Sequence, residues 1–385
     1  MIKIIRISTV PISLKLLLQG QLKYLSHYFE IIAVSAGGKE LDDVRKNEEV
    51  KTISVPINRR ISIINDVISL AKICKILRIE RPQIIHSITP KAGLLSMIAG
   101  YLTNVPIRMH TFTGLIFPTK KGFFRWLLIF MDRILCLCAT NVYPEGEGVR
   151  KDLLKYRITG KPLKVLANGN VNGINDDYFD PSYYNCEKKM EIRKKLRINR
   201  DDFIFLFVGR LVSDKGINEL IISFMEITKS YENVKLLLIG PYEHEIDPLH
   251  NETLKLIESN NDIISLGYQS DVRPYFAISN VFVFPSYREG FPNVVIQAGA
   301  MGLPCIVTDI NGCNEIIVNN ENGIIIPPRN SDALREKMKF LIENVCFRNT
   351  LGKNARQMII SRYQQQIVWE ALLKEYKNLL ANKGI

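Results

Sequence analysis

No apolar run in this 385-residue sequence is long enough to cross a membrane. The longest, "WLLIFMDRILCLCA", is broken by Asp132 and Arg133, short of the ~18 residues a span requires. The opening "MIKIIRISTV" carries Lys3 and Arg6 and lacks the apolar core of a signal peptide, so it reads as a first strand and a cytoplasmic protein is expected. Cysteine is sparse and odd in number, seven in all, with no C-x-x-C pair. That excludes a disulfide framework and leaves no metal-ligand spacing. Cys136 and Cys138 read as members of an apolar helix. Repeats and low-complexity tracts are missing, and no Asp-x-Asp follows a strand; the nearest match is "TDIN", 308–311. Neither a metal clamp nor a cofactor is expected.

What is present is an ordinary globular balance, 46% hydrophobic and 23% charged, at a length suited to two domains of about 150–200 residues. The net charge of +12 is unevenly placed. Residues 1–165 hold 26 Lys and Arg against 12 Asp and Glu, and the remainder holds 25 against 27. An excess of +14 in one half admits nucleic acid, an anionic membrane or a phosphorylated ligand. Nucleic acid is set aside, because no basic-aromatic repeat of a recognised module occurs. The segment "PTKKGFFRWLLIFMDR" (118–133) is the membrane candidate: Lys120, Lys121, Arg125 and Arg133 would meet headgroups while Phe123, Phe124, Trp126 and Leu127 enter the interface. The competing reading is a buried helix with charged ends.

Short apolar runs alternate with helical stretches throughout. Strands are expected at 2–8, 29–35, 51–55, 83–88 and 106–112, then at 203–209, 234–240, 263–267, 281–285, 304–308 and 323–327. Continuous apolar runs fit strands covered on both faces, as in parallel sheets with crossover helices. The fold class is therefore α/β, two Rossmann-like doubly wound domains facing across a cleft. Residues 176–202, aromatic and charged without strand runs, read as the connection. The domains are expected at 1–175 and 176–365. Trp369, Leu372, Leu373 and Tyr376 space a helix at 366–385 that docks back on the first domain.

Ligands of such sheets bind beyond the carboxyl ends of the strands, and the candidate residues follow strands. After "FIFLFVG" comes "RLVSDKG", with Arg210 and Lys215 suited to a diphosphate. After "VFVFP" comes "SYREGFPNVVIQ", whose helix should begin near Pro292 or Asn293, proline being tolerated in the first turn. Its orphan N–H groups and dipole would seat phosphate. Glu289 then accepts from sugar hydroxyls, or else merely caps the helix. Gln297 lies one to two turns further, within reach of a ribose.

These segments, together with "GCNEII", "NGIIIPPRN", "RMHTFTGL" and "TPKAGL", resemble the retaining glycosyltransferases of family 4, with the GT-B fold, over nearly the whole chain. The closest flavour is that of bacterial polysaccharide or lipid-linked oligosaccharide assembly. The resemblance implies a nucleotide-sugar donor, UDP-linked by preference, bound by the second domain. It implies a glycan or polyprenyl-diphosphate-linked acceptor on the basic first domain, at the inner membrane face. Arg210 and Lys215 match the pair that neutralises the donor diphosphate. Glu289 matches the first acid of the E-x7-E motif, and Gly290, Phe291 and Asn293 fall in the same donor-binding stretch. Gln297 stands where the second acid is usual, and a neutral amide makes the weaker ribose contact. His110, after "PIRM", matches the histidine beside the donor sugar, and His86 and Lys91 are candidates for the acceptor. The usual double glycine of the first loop is replaced by a lone Gly20. Rival expectations are a GT-B epimerase, a phosphorylase and a non-catalytic sugar-nucleotide-binding partner.

Overall fold

The computed structural model describes residues 1–58, 62–243 and 247–385. The chain divides into two compact units. Unit 1 is Met1–Gly173 with Gln365–Ile385, and unit 2 is Ile174–Gln364. Among the described residues no helix is long and apolar enough to cross a membrane.

Unit 1 holds strands β1 (Lys3–Ile7), β2 (Glu30–Ser35), β3 (Lys51–Ser54), β4 (Ile84–Ser87), β5 (Ile107–Phe112) and β6 (Asn141–Pro144), in the order β3-β2-β1-β4-β5-β6. Unit 2 holds β7 (Phe203–Val208), β8 (Val234–Ile239), β9 (Ile263–Ser265), β10 (Val281–Phe284), β11 (Cys305–Thr308) and β12 (Gly323–Ile326), in the order β12-β11-β10-β7-β8-β9. Every pairing is parallel. Both sheets are thus doubly wound. Strand order reverses between β1 and β4 in one and between β7 and β10 in the other, which is where such sheets bind ligands. The apolar runs are buried because helices cover both faces: β7 and β10 contribute Phe205, Phe207, Phe282 and Phe284 to one continuous core.

Eleven strands lie where the apolar runs predict them, each within two residues of the expected ends. β6 is the one not foreseen. It is four residues long, ends on Pro144 and, apart from a single bridge from Val142 to Leu163, pairs with β5 at the end of the sheet, so it has the short, proline-ended form of an edge strand instead of a long apolar run. The 176–202 segment, expected as a connection, is folded against unit 2. Tyr184, Ile192 and Leu196 pack on its core, and Arg193 donates to the Ile278 carbonyl at 2.9 Å.

Helix Gln365–Ala381 belongs to unit 1. Leu372, Leu373, Tyr376 and Leu380 lie in the core beneath β1, β2 and β5. Trp369 donates from its indole nitrogen to Asn172 at 2.8 Å, and its ring fills the space where Gly20, at φ +78°, has no side chain. The lone glycine of the first loop therefore packs against a ring.

Candidate functional site

In unit 2 the switch point is built by two loops. β7 ends at Val208, and a 3₁₀ turn, Ser213–Lys215, leads through Gly216 into helix Ile217–Thr228. Gly216 sits at φ +70°, and a Cβ there would lie 2.1 Å from the Pro285 carbonyl oxygen. Only glycine allows this approach. The backbones of the β7 and β10 loops are consequently pressed together, and Tyr287 N donates to Asp214 O at 2.8 Å.

This contact brings Lys215 to Glu289, and the two form an ion pair, each side chain 14% exposed. The Ser286 hydroxyl donates to the same Glu289 oxygen at 2.6 Å, and the Lys215 ammonium lies 5.3 Å over the Phe284 ring. Helix Asn293–Ala300 starts immediately after, with Pro292 as its N-cap, so its N-terminal end faces the same strand ends. Gly312, at φ +75°, abuts the Gly290 carbonyl, where a Cβ would sit at 2.4 Å. Phe291 is buried in the core against Tyr363. The Gln297 side chain makes no hydrogen bond among the described residues. Arg210 stands further along the same edge and pairs with Glu243.

Sequence reasoning missed the supporting set: Ser286, Asp214, Glu243, and the Tyr287 hydroxyl donating to Glu219. Burial and the adjacent Glu219 carboxylate push the Tyr287 phenol above its ordinary range, so this clamp stays protonated at neutral pH. "SYREG" held the signal, since a serine and a tyrosine directly after a buried strand have backbone and carboxylates within reach.

In unit 1 the two histidines lie inside strands, not in the loops beyond them, because the β-prone "TF" after His110 continues the strand. His86 and His110 project from opposite faces, the register pairing Ser87 with His110 and His86 with Met109. His86 is 2% exposed, with Nδ1 at 2.6 Å from the Tyr376 hydroxyl and Nε2 at 2.8 Å from the Thr111 hydroxyl. Burial holds its pKa well below the usual value. His110 is 1% exposed. Its Nδ1 is 2.8 Å from the Ser87 hydroxyl, and its ring occupies the space a Gly93 side chain would need. Burial lowers its pKa to about 3. Both rings are neutral and interior. Lys91 pairs with Asp66 at 2.7 Å. At the switch point itself the Thr9 and Thr89 hydroxyls meet at 2.8 Å, and Ala92 N donates to Thr9 at 3.2 Å.

Comparison with known proteins agrees with this architecture. The family model "Glycosyl transferases group 1" matches residues 188–358, and "Glycosyl transferase 4-like domain" matches 19–169. The capsular polysaccharide biosynthesis glycosyltransferase CapM of Staphylococcus aureus is 34% identical over 380 residues, 98% of this chain and 97% of that protein. The UDP-Gal:alpha-D-GlcNAc-diphosphoundecaprenol alpha-1,3-galactosyltransferase of Escherichia coli is 28% identical, covering 88% of this chain and 86% of its own. Among solved structures, a glycosyltransferase of Rickettsia africae superposes with a TM-score of 0.81 at 23% identity, covering 99% of each chain. Anabaena HepE, solved with UDP and glucose, gives 0.82 at 16% identity, covering 98% of this chain and all of its own. With two doubly wound sheets, a cation–carboxylate pair at the switch point of the second, and a full-length relative above 30% identity, the chain belongs to glycosyltransferase family 4 and has the GT-B fold.

Proposed function

We propose that this glycosyltransferase moves a sugar, with retention at the anomeric carbon, from a UDP-sugar to a polyprenyl-diphosphate-linked glycan during surface polysaccharide assembly. Three findings support the reading: the capsule and diphosphoundecaprenol relatives, the UDP complexes of a structural neighbour, and above all the Lys215–Glu289 pair at the unit 2 switch point.

In the proposed reaction the donor diphosphate takes Lys215 from Glu289 and Arg210 from Glu243. Each cation then faces an oxygen that gains charge as the C1–O bond breaks and its electron pair leaves with the phosphate. Preorganised charge of this kind is the largest rate contribution an enzyme commonly makes. Glu289, still fixed by Ser286, is free to accept from sugar hydroxyls. The acceptor hydroxyl attacks C1 from the face the diphosphate leaves, passing its proton to the departing phosphate oxygen. Gly290, Phe291 and Asn293 shape the donor seat, and Gln297 meets the ribose. Two side-chain cations and a helix N-terminus carry the neutralisation, so activity should survive EDTA; a loss restored by Mg²⁺ would overturn that part. His110 enters as a positioning residue holding the end of β5, its ring being neutral and enclosed. His86 fixes β4 to Tyr376 and Thr111. Lys91 is the residue we assign to the acceptor phosphate.

A thermal-shift panel of nucleotide sugars tests the reading, because a ligand of the folded state raises the midpoint by mass action. UDP-sugars should shift the protein and GDP-sugars should not. No shift with any donor, and no turnover with lipid-linked acceptors, would contradict it.

A further inference from the structure

Strand β1 carries a cation into the interior of unit 1. Arg6 is 1% exposed, and the parallel register sets it beside His86 on β4. Its Nη1 donates to Gln21 Oε1 at 2.8 Å and to the Tyr376 hydroxyl at 3.1 Å. Gln21 is fixed in that orientation, because its amide nitrogen donates to the Val171 carbonyl at 2.8 Å. The other edge of the guanidinium, Nε and Nη2, makes no hydrogen bond among the described residues, and Nε is wholly buried. A buried donor left without an acceptor is rare enough to need a reason.

The neighbouring groups do not balance the charge. Glu375 is held by Lys164 at 2.5 Å and by the Tyr143 hydroxyl at 2.8 Å. Burial pushes the Tyr143 and Tyr376 phenols above their ordinary range, so neither supplies a negative charge. Burial, with the Arg6 charge beside it, keeps His86 neutral. Glu145 forms no ion pair with Arg6; its N–H donates to the Phe112 carbonyl at 3.0 Å and its own carbonyl accepts from Asn170 at 2.9 Å. Arg6 thus has no counter-charge in contact among the described residues, and a buried charge in that state is costly.

A cavity of about 20 Å³ adjoins it, lined by Arg6, His86, Thr111, Tyr143, Glu145 and Asn170 together with apolar side chains. Gln21 and Tyr376, which hold Nη1, are outside the lining, and this leaves the Nε–Nη2 edge toward the cavity. The space suits one occupant of water or chloride size and excludes a phosphate or a sugar ring. A water would satisfy the N–H groups and leave the charge as it is. An anion does both, because two N–H groups on one edge of a guanidinium converge on a single acceptor.

We propose that this cavity is an anion site, taking one chloride-sized monovalent ion on the Nε and Nη2 N–H groups of Arg6. The ion steadies the seam between the sheet and helix Gln365–Ala381. Arg6 and His86 both meet the Tyr376 hydroxyl of that helix, His86 Nδ1 at 2.6 Å. The site is independent of the function proposed above.

The test uses the full chain without donor or acceptor. Thermal unfolding is followed at constant ionic strength while sodium chloride replaces sodium gluconate, whose anion is too large for the cavity. The midpoint should rise by roughly 2–4 °C in chloride, and the Arg6→Gln protein should show no such rise. Crystals of the parent grown in sodium bromide give a second measurement that does not depend on the variant folding. Anomalous scattering should place a bromide within hydrogen-bond distance of Arg6 Nε. A midpoint indifferent to the exchange, a rise retained by Arg6→Gln, or a water at that position in the bromide crystals would each overturn the proposal.

Discussion

The two units share one strand order and differ in almost everything a ligand would meet. Unit 1 holds 29 Lys and Arg against 14 Asp and Glu, or +15, and unit 2 holds 22 against 25, or −3. Three helices of unit 1 leave twelve described large apolar side chains exposed, against eight in the whole of unit 2. Among the described residues Lys120, Lys121, Arg125, Arg133 and Lys155 form no ion pair, whereas Arg210 and Lys215 are held by Glu243 and Glu289. One fold thus supports two kinds of surface. In unit 2 charge is held pairwise at the switch point, and in unit 1 it is spread over a helical face. Fold alone would not have told them apart.

The sharpest way to break this comparison is at the glycines. Gly216→Ala sets a Cβ against the Pro285 carbonyl at φ +70°, and should cost about 3 kcal/mol or more in urea unfolding. Gly122→Ala, at φ +61° with nothing within 4 Å of the added Cβ, should cost only about 1 kcal/mol. Equal losses would mean the β7–β10 contact is looser than described.

Removing a site cation comes next. Lys215→Ala and Arg210→Ala should each raise the barrier by about 2–4 kcal/mol in kcat/KM, with Lys215 the larger because its surroundings are drier. Turnover within twofold of the parent for both would sink the diphosphate assignment. At the two ends of "EGFPNVVIQ" the outcomes should separate. Glu289→Gln lowers kcat with little change in donor affinity. Gln297→Ala mainly raises the donor KM, by about 0.5–1.5 kcal/mol for a neutral hydrogen bond. A larger kcat loss at Gln297 would reverse the roles.

The smallest effect sharpens the contrast from the unit 1 side. Asp132 lies on the inner side of the 122–138 helix, and burial raises its carboxyl from 3.8 to about 7. Folded Asp132 keeps a proton that the unfolded chain releases, so its contribution to stability declines as pH rises from about 4 to 7 and is level above. Asp132→Asn should therefore stabilise the protein at pH 8 by about 1–2 kcal/mol, and change little at pH 4. A gain independent of pH would show that the carboxyl is solvated.

Much of this was legible in the chain. Parallel strands buried on both faces announce themselves as apolar runs, so eleven of twelve could be read, and "REGFPNVV" carried its helix start in Pro292. The edge strand β6 could not be read, because four residues ending in a proline make no apolar run. The partners of the site residues were also hidden. Glu243 and Asp214 reach Arg210 and Arg288 only through loop geometry. His86 and His110 looked alike as strand-end histidines, yet a one-residue register difference sends them to opposite faces of one sheet. Aromatics and cations at 118–133 did not reveal which side chains would be exposed; in the structure Phe123, Phe124, Trp126 and Phe130 face water.

The central claim is that Lys215, freed from Glu289, holds the donor diphosphate without a metal. Titration of UDP into the parent and Lys215→Ala proteins in EDTA tests it directly. The account predicts binding by the parent and a loss of roughly tenfold or more in the variant, the scale of one hydrogen-bonded charge contact. Equal UDP affinity of the two proteins, or no binding by the parent until Mg²⁺ is added, would contradict it.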